Sequence, residues 1–162
     1  AIRQEAARNA EYQHMGTTLV CAVARSDMAI IGNIGDSRAY HITPEGIFQI
    51  SRDHSVVENM VAKGDLTPLE ARTHPNRNLI TRALGPDIHA KADTFELPWH
   101  KDEFLLLCSD GLVNTVSDQE MLFEVLHDGD VNECLDHLLQ ISLQRGAPDN
   151  ITAVLLLNEE GR

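Results

Sequence analysis

The sequence predicts an α+β fold, antiparallel sheets with helices on their outer faces, and three observations carry that expectation. Short β-branched runs bounded by turn residues fill the first third of the chain and recur near 90–109 and 151–157. Apolar residues at helical spacing occupy two other stretches, around 55–73 and 117–145, and capping signatures open the helices there. The 162 residues suit one domain, and 43% apolar content is enough for a core.

The elements follow in order. Residues 2–11, rich in Ala, Arg, Gln and Glu, read as a helix. Residues 17–24 and Met28–Ile34 read as strands joined by a hairpin at Arg25-Ser26-Asp27. Residues 38–42 and 47–51 flank Thr43-Pro44-Glu45-Gly46, a tight turn, so the first half reads as an antiparallel meander. Val56, Val57, Met60 and Val61 then recur at helical spacing up to Gly64, a C-terminal stop. Thr67-Pro68-Leu69-Glu70 is a capping box with proline at the first helical position, starting a short helix to about Thr73.

Residues 90–97 and 103–109 resume strand character. Ser117-Asp118-Gln119-Glu120 caps a helix through about His127, and Asp128-Gly129 reads as the turn beyond it. Asp130 and Glu133 repeat the cap ahead of a longer helix with Val131, Leu135, Leu138 and Leu139 on one face. Gly146-Ala147-Pro148 breaks that helix, and residues 151–157 form a final buried strand. No internal repeat, low-complexity tract or linker interrupts the sequence.

A formal charge of −12 argues against nucleic acid and anionic membrane as partners. No run approaches the roughly 18–20 apolar residues of a membrane span, and no signal peptide is legible. Cys21, Cys108 and Cys134 lack disulfide or zinc spacing and read as reduced core thiols of a cytoplasmic protein.

The candidate chemistry lies in three aspartates at the ends of apolar runs. Asp36 closes Ile30-Ile31-Gly32-Asn33-Ile34-Gly35, Asp110 closes Phe104-Leu105-Leu106-Leu107-Cys108-Ser109, and Asp149 precedes Asn150-Ile151-Thr152-Ala153-Val154. Singly, an aspartate in such a place most often serves a turn or cap. Together, carboxylates converging at strand tips repel one another unless protons or cations intervene, and they offer hard oxygen ligands to Mg²⁺ or Mn²⁺. Gly32-Asn33-Ile34-Gly35 is no dinucleotide loop, and Ser109 has no nucleophile elbow around it. His54 and His74, without a ligand at i+3 or i+4, read as hydrogen-bonded structural histidines in the helical segment.

An ordered set of motifs spans about Gly16 to Leu157. It comprises Met15-Gly16-Thr17-Thr18, Asn33-Ile34-Gly35-Asp36-Ser37-Arg38-Ala39-Tyr40, Asp53-His54-Ser55, His74-Pro75-Asn76-Arg77-Asn78-Leu79-Ile80-Thr81-Arg82-Ala83-Leu84-Gly85, Leu105-Leu106-Leu107-Cys108-Ser109-Asp110-Gly111-Leu112 and Asp149-Asn150-Ile151-Thr152. The set resembles the metal-dependent protein serine/threonine phosphatases of the PPM type, also called type 2C, in their bacterial branch. The resemblance implies an antiparallel β-sandwich in α-β-β-α layers. It implies hydrolysis of phosphoserine and phosphothreonine in proteins by a metal-activated water, without a phosphoenzyme. The implied partners are phosphoproteins, the substrates of kinases. The implied cofactors are two core Mg or Mn ions, with a third, weaker ion near Asp36. Asp110 and Asp149 correspond to ligands of one core metal, and Asp36 with Asp110 to the accessory site. Arg38 corresponds to a structural ion-pair partner. Residues 53–77 correspond to a helical flap over the substrate, with Val56, Gly64, His74 and Arg77 as its candidate substrate-facing residues.

One departure accompanies the resemblance. The family also draws ligands from an upstream acidic residue and an Asp-Gly pair, whereas no aspartate here precedes Asp27 and no Asp-Gly precedes Asp110-Gly111. Residues 1–162 are therefore expected to be one catalytic domain truncated at its N-terminus, with uncovered sheet edges and apolar faces and little activity alone. The alternatives are a non-catalytic phosphatase fold that binds or regulates a phosphoprotein, and a metal-binding structural domain.

Overall fold

The computed structural model describes residues 1–86, 89–127 and 130–160. The Asp128-Gly129 turn lies outside the described residues. Helix α1 spans Ile2–Arg8 and gives way to a 3-10 turn at Ala10–Tyr12, so the helix expected over 2–11 is shorter than its composition predicts. Asn9 breaks it: its backbone is extended, and its side chain accepts from the Glu11 amide to cap the next turn.

Among the described residues seven strands follow: β1 (Leu19–Ala24), β2 (Met28–Ile34), β3 (Arg38–Thr43), β4 (Gly46–Gln49), β5 (Asp93–Pro98), β6 (Phe104–Cys108) and β7 (Ala153–Leu157). They do not form the meander expected of the first half. One sheet has the order β1-β2-β5 and the other β4-β3-β6-β7, with every pairing antiparallel. The chain changes sheets between β2 and β3. Gly35 makes this possible: its φ is +108°, and a Cβ there would collide with the side chain of Thr18. The Thr18 and Ser37 hydroxyls, 2.9 Å apart, tie the crossover to the chain leading into β1.

Between the sheets, Ala29, Ile31, Leu97 and Trp99 pack with Ala39 and Leu105 in one buried cluster. A second cluster joins the other face of the four-stranded sheet to α5 (Asp118–His127) and α6 (Val131–Gln144). Tyr40, Ile42, Leu106, Met121, Val125, Cys134 and Leu138 are its buried centre, each large apolar side chain contributing about 1.5–3 kcal/mol. Within α6 the buried positions are Cys134, Leu138 and Ser142, so Leu139 stands at the margin, 39% exposed. The expected caps are present: Ser117 and Glu120 bond reciprocally, and Asp130 accepts from the Asn132 amide.

The outer face of the three-stranded sheet is different. Leu19, Val23, Met28 and Ile30 are 39–64% exposed along it. Cys21 is exposed on the same face, which corrects its reading as a core thiol, whereas Cys108 and Cys134 are buried. The architecture is α+β, an antiparallel sandwich whose four-stranded side carries the helical layer.

Candidate metal centre

Strand register brings the aspartates to one end of the sandwich. Arg38 of β3 pairs with Cys108 of β6, and Cys108 pairs with Ala153 of β7. Asp36 lies two residues before Arg38, Asp110 two after Cys108 and Asp149 four before Ala153, so antiparallel pairing delivers all three to the same edge. Asp110 opens a one-turn helix, α4 (Asp110–Val113), which the sequence did not announce because four residues around a glycine carry no periodicity.

The loops carrying Asp110 and Asp149 are locked together. The Ser109 amide donates to the Thr152 carbonyl at 2.9 Å, the Thr152 amide to Ser109 Oγ at 3.0 Å, and Ser109 Oγ to the Asn150 carbonyl at 3.3 Å. A Cβ at Gly111 would collide with the Asn150 carbonyl, so only glycine allows this approach. Asp149 itself accepts its neighbour's amide, from Asn150, at 2.7 Å.

Asp36 and Asp110 are half-buried, and neither carboxylate has a side-chain hydrogen-bond or ion-pair partner among the described residues. Burial, then the charge of Asp110, raises the pKa of Asp36. Burial, then the charge of Asp149, raises that of Asp110. Asp110 thus stands electrostatically between the other two. Among the described residues no group of three His, Cys, Asp or Glu side chains converges on one cation position. What this edge offers a hard cation is carboxylates near enough to raise one another's pKa, with the remaining oxygens to come from elsewhere.

The surroundings hold this edge rigid. Arg38 grips Asp53 through Nε at 3.0 Å and Nη2 at 2.7 Å, and its Nη1 donates to the Tyr40 hydroxyl. This is the structural ion pair expected of Arg38. Buried His54 Nδ1 accepts from the Gly35 amide at 3.0 Å, and its Nε2 donates to Asp93 at 3.0 Å. The His54 amide returns a 2.8 Å bond to the Gly35 carbonyl, and Arg82 Nη1 completes the chain on Asp93 at 2.7 Å. His54 is structural, as expected, but it lies beneath the helical segment rather than in it. Burial pushes the nearby Cys108 thiol up to about 12, which leaves no thiolate nucleophile there.

The helical segment comprises α2 (Val56–Lys63) and α3 (Pro68–Thr73), with the Thr67–Glu70 capping box formed as expected. Its base is pinched by the Val56 amide on the Leu79 carbonyl and by a bridge between Ser55 and Ile80. The far end of the segment faces Asp149 across a cavity of about 380 Å³ lined by Arg72, Thr73, Arg77, Asn78, Asn114, Pro148 and Asp149. Of the expected substrate-facing residues, Arg77 lines this cavity. Val56, Gly64 and His74 do not: Val56 starts α2, Gly64 is its left-handed stop at φ +80°, and His74 Nδ1 accepts from the Asn76 amide. Sequence reasoning gave no role to Arg72, Asn114, Asp93 and Arg82: Arg72 and Asn114 sit on or beside short helices, Arg82 in a loop and Asp93 at the first position of β5, where no periodic signal marks them.

Known proteins resemble this chain in sequence and in fold. The family described as Protein phosphatase 2C matches residues 1–155. The serine/threonine phosphatase Stp of Listeria monocytogenes is 36% identical over 151 residues, covering 91% of this chain and 60% of its own length. The crystal structure of serine/threonine phosphatase Stp1 from Staphylococcus aureus superposes with a TM-score of 0.92 at 41% identity, over 96% of this chain and 61% of that one. The catalytic domain of serine/threonine protein phosphatase PstP, solved in complex with two manganese ions, gives 0.85 at 32% identity, over 95% and 64%. The chain spans about 60% of the length of the Listeria and Streptococcus relatives it matches and 30% of that of the phosphatase PstP of Mycobacterium tuberculosis.

Proposed function

The chain belongs to the protein phosphatase 2C family, and from that premise we propose that it is the C-terminal part of the catalytic domain of a Mg²⁺- or Mn²⁺-dependent protein serine/threonine phosphatase. Its substrates are cytoplasmic phosphoproteins carrying phosphoserine or phosphothreonine, the products of kinases. Asp110 and Asp149 hold one core metal, and Asp36 with Asp110 holds an accessory ion. The observation that carries this reading is the strand register that delivers Asp36, Asp110 and Asp149 to one edge, with Asp36 and Asp110 lacking a side-chain partner among the described residues. A protein keeps such repelling carboxylates together where a cation is to offset them.

A divalent cation bound here supplies charge neutralisation for a phosphoryl group and acidifies water. The chain's own residues orient that chemistry. Ser109 and Gly111 fix Asp110 against the Asp149 loop, and His54 fixes the backbone that presents Asp36. Arg38, committed to Asp53, is not free to clamp phosphate. In this reading residues 53–77 are the flap, and Arg72, Thr73 and Arg77 from it face Asp149 across the cavity. The bare outer face of the three-stranded sheet and the paired rather than caged carboxylates both support the view that further chain completes this domain.

The test is p-nitrophenyl phosphate hydrolysis with Mn²⁺, by this chain and by a chain extended at its N-terminus. The extended chain is expected to turn over and to lose activity on Asp110→Ala, while the 162-residue chain shows little. Full activity in the short chain would refute the completing segment. An extended chain indifferent to Asp110→Ala would refute the metal assignment.

A further inference from the structure

The cavity between α3 and the Asp149 loop has a chemistry that the metal assignment does not use. The protein as a whole carries −12, a field that opposes any anionic peptide. At this cavity the balance reverses. Arg72 and Arg77 both line it, and among the described residues neither guanidinium has a hydrogen-bond or ion-pair partner. Five other arginines are committed, Arg8 to Glu5, Arg38 to Asp53, Arg52 to Glu58, Arg82 to Asp93 and Arg145 to Glu120, whereas Arg3 and Arg25, also without a side-chain partner among the described residues, line no part of this cavity. Asn78 and Asn114 add uncharged amides to the walls, and Asp149 closes one side.

We infer that this cavity is a subsite for an anionic side chain that flanks the phosphorylated residue of the substrate, with Arg72 and Arg77 as its counter-charges. The inference rests on the proposed phosphatase reading only for which peptide is presented. The subsite itself follows from the walls. A volume of about 380 Å³ accommodates a glutamate or a second phosphorylated side chain, and two guanidinium forks match either anion in the bidentate manner. Proximity to Asp149 places the subsite beside the proposed metals, so the anion it takes belongs to a neighbouring residue. Arg72 is exposed at the end of a short helix, and its replacement leaves the core untouched.

The experiment is fluorescence anisotropy with the 162-residue chain and labelled phosphothreonine peptides whose flanking residues are alanine, glutamate or phosphoserine. Both anionic peptides are expected to bind at least about tenfold more tightly than the alanine peptide, the scale of one charge-assisted hydrogen bond. Arg72→Ala should remove most of that preference, and Arg72→Lys should restore part of it, a pattern that mere structural support would not produce. Equal binding of the three peptides, no binding of any, or a preference indifferent to Arg72→Ala would overturn the inference. A parallel calorimetric titration with Mn²⁺ separates the two readings. A chain that selects anionic peptides but takes up no Mn²⁺ retains the subsite and loses the metal assignment of Asp36, Asp110 and Asp149. One that binds Mn²⁺ but treats the peptides alike loses only the subsite.

Discussion

Two populations of carboxylate coexist in this protein, and they are treated in opposite ways. Asp53, Asp93 and Glu120 lie where an arginine reaches them. Asp93 bonds to His54 and Arg82, and Glu120 to Arg145 and Ser117, so both carboxyls are held below their usual range. Asp36 and Asp110 are given burial and a neighbouring carboxylate's charge instead, Asp110's on Asp36 and Asp149's on Asp110, and both are raised. The first group holds the fold together. The second opposes it, and a protein tolerates such opposition where the same atoms serve chemistry.

The sharpest break in that contrast is to remove a paired carboxylate. Asp53→Ala leaves the largely buried Arg38 guanidinium without its partner and should cost about 3 kcal/mol in urea unfolding, because a stranded buried charge is worse than none. Replacing both members by apolar residues should recover most of that loss. Next comes His54→Ala, which deprives the Gly35 amide of its acceptor and is expected to cost about 2 kcal/mol. It should also weaken Mn²⁺ binding, since the Asp36 loop loses its anchor.

Removing an unpaired carboxylate should do the reverse. Without divalent cation, Asp110→Asn is expected to raise the melting temperature by about 1–3 °C, the scale that a fraction of a kcal/mol sets for a domain of this size. The smallest effect is its pH dependence. A carboxyl whose folded pKa is raised contributes stability that is complete below its unfolded value, near 3.8, and is lost as pH rises through the folded value. The advantage of Asp110→Asn over the metal-free wild type should therefore shrink as pH falls through that window, as thermal scans would show. Asp93 and Glu120 act with the opposite sign, their contribution being lost as pH falls.

Much of this was legible in the sequence, for identifiable reasons. Strands β6 and β7 announce themselves through unbroken leucine-rich runs and β2 through Ala29-Ile30-Ile31, and the Thr67 and Ser117 caps through side-chain spacing. The three aspartates could be read because each abuts such a run. The exchange between sheets at Gly35 could not, because a hairpin and a crossover present the same local alternation, and only the φ of +108° separates them. The exposure of Cys21 was hidden for a related reason: an apolar strand does not say whether anything covers its second face. Arg72 and Asn114 meet across a cavity from segments some forty residues apart, a proximity that no spacing rule encodes.

The central claim is that Asp110 is shared by two cation positions, one with Asp149 and one with Asp36. A calorimetric titration of Mn²⁺ into the wild-type chain, Asp36→Asn, Asp110→Asn and Asp149→Asn tests it most directly. The account predicts weak binding in the wild type, partial and different losses in Asp36→Asn and Asp149→Asn, and none remaining in Asp110→Asn. Uptake by Asp110→Asn equal to that of the wild type would contradict it.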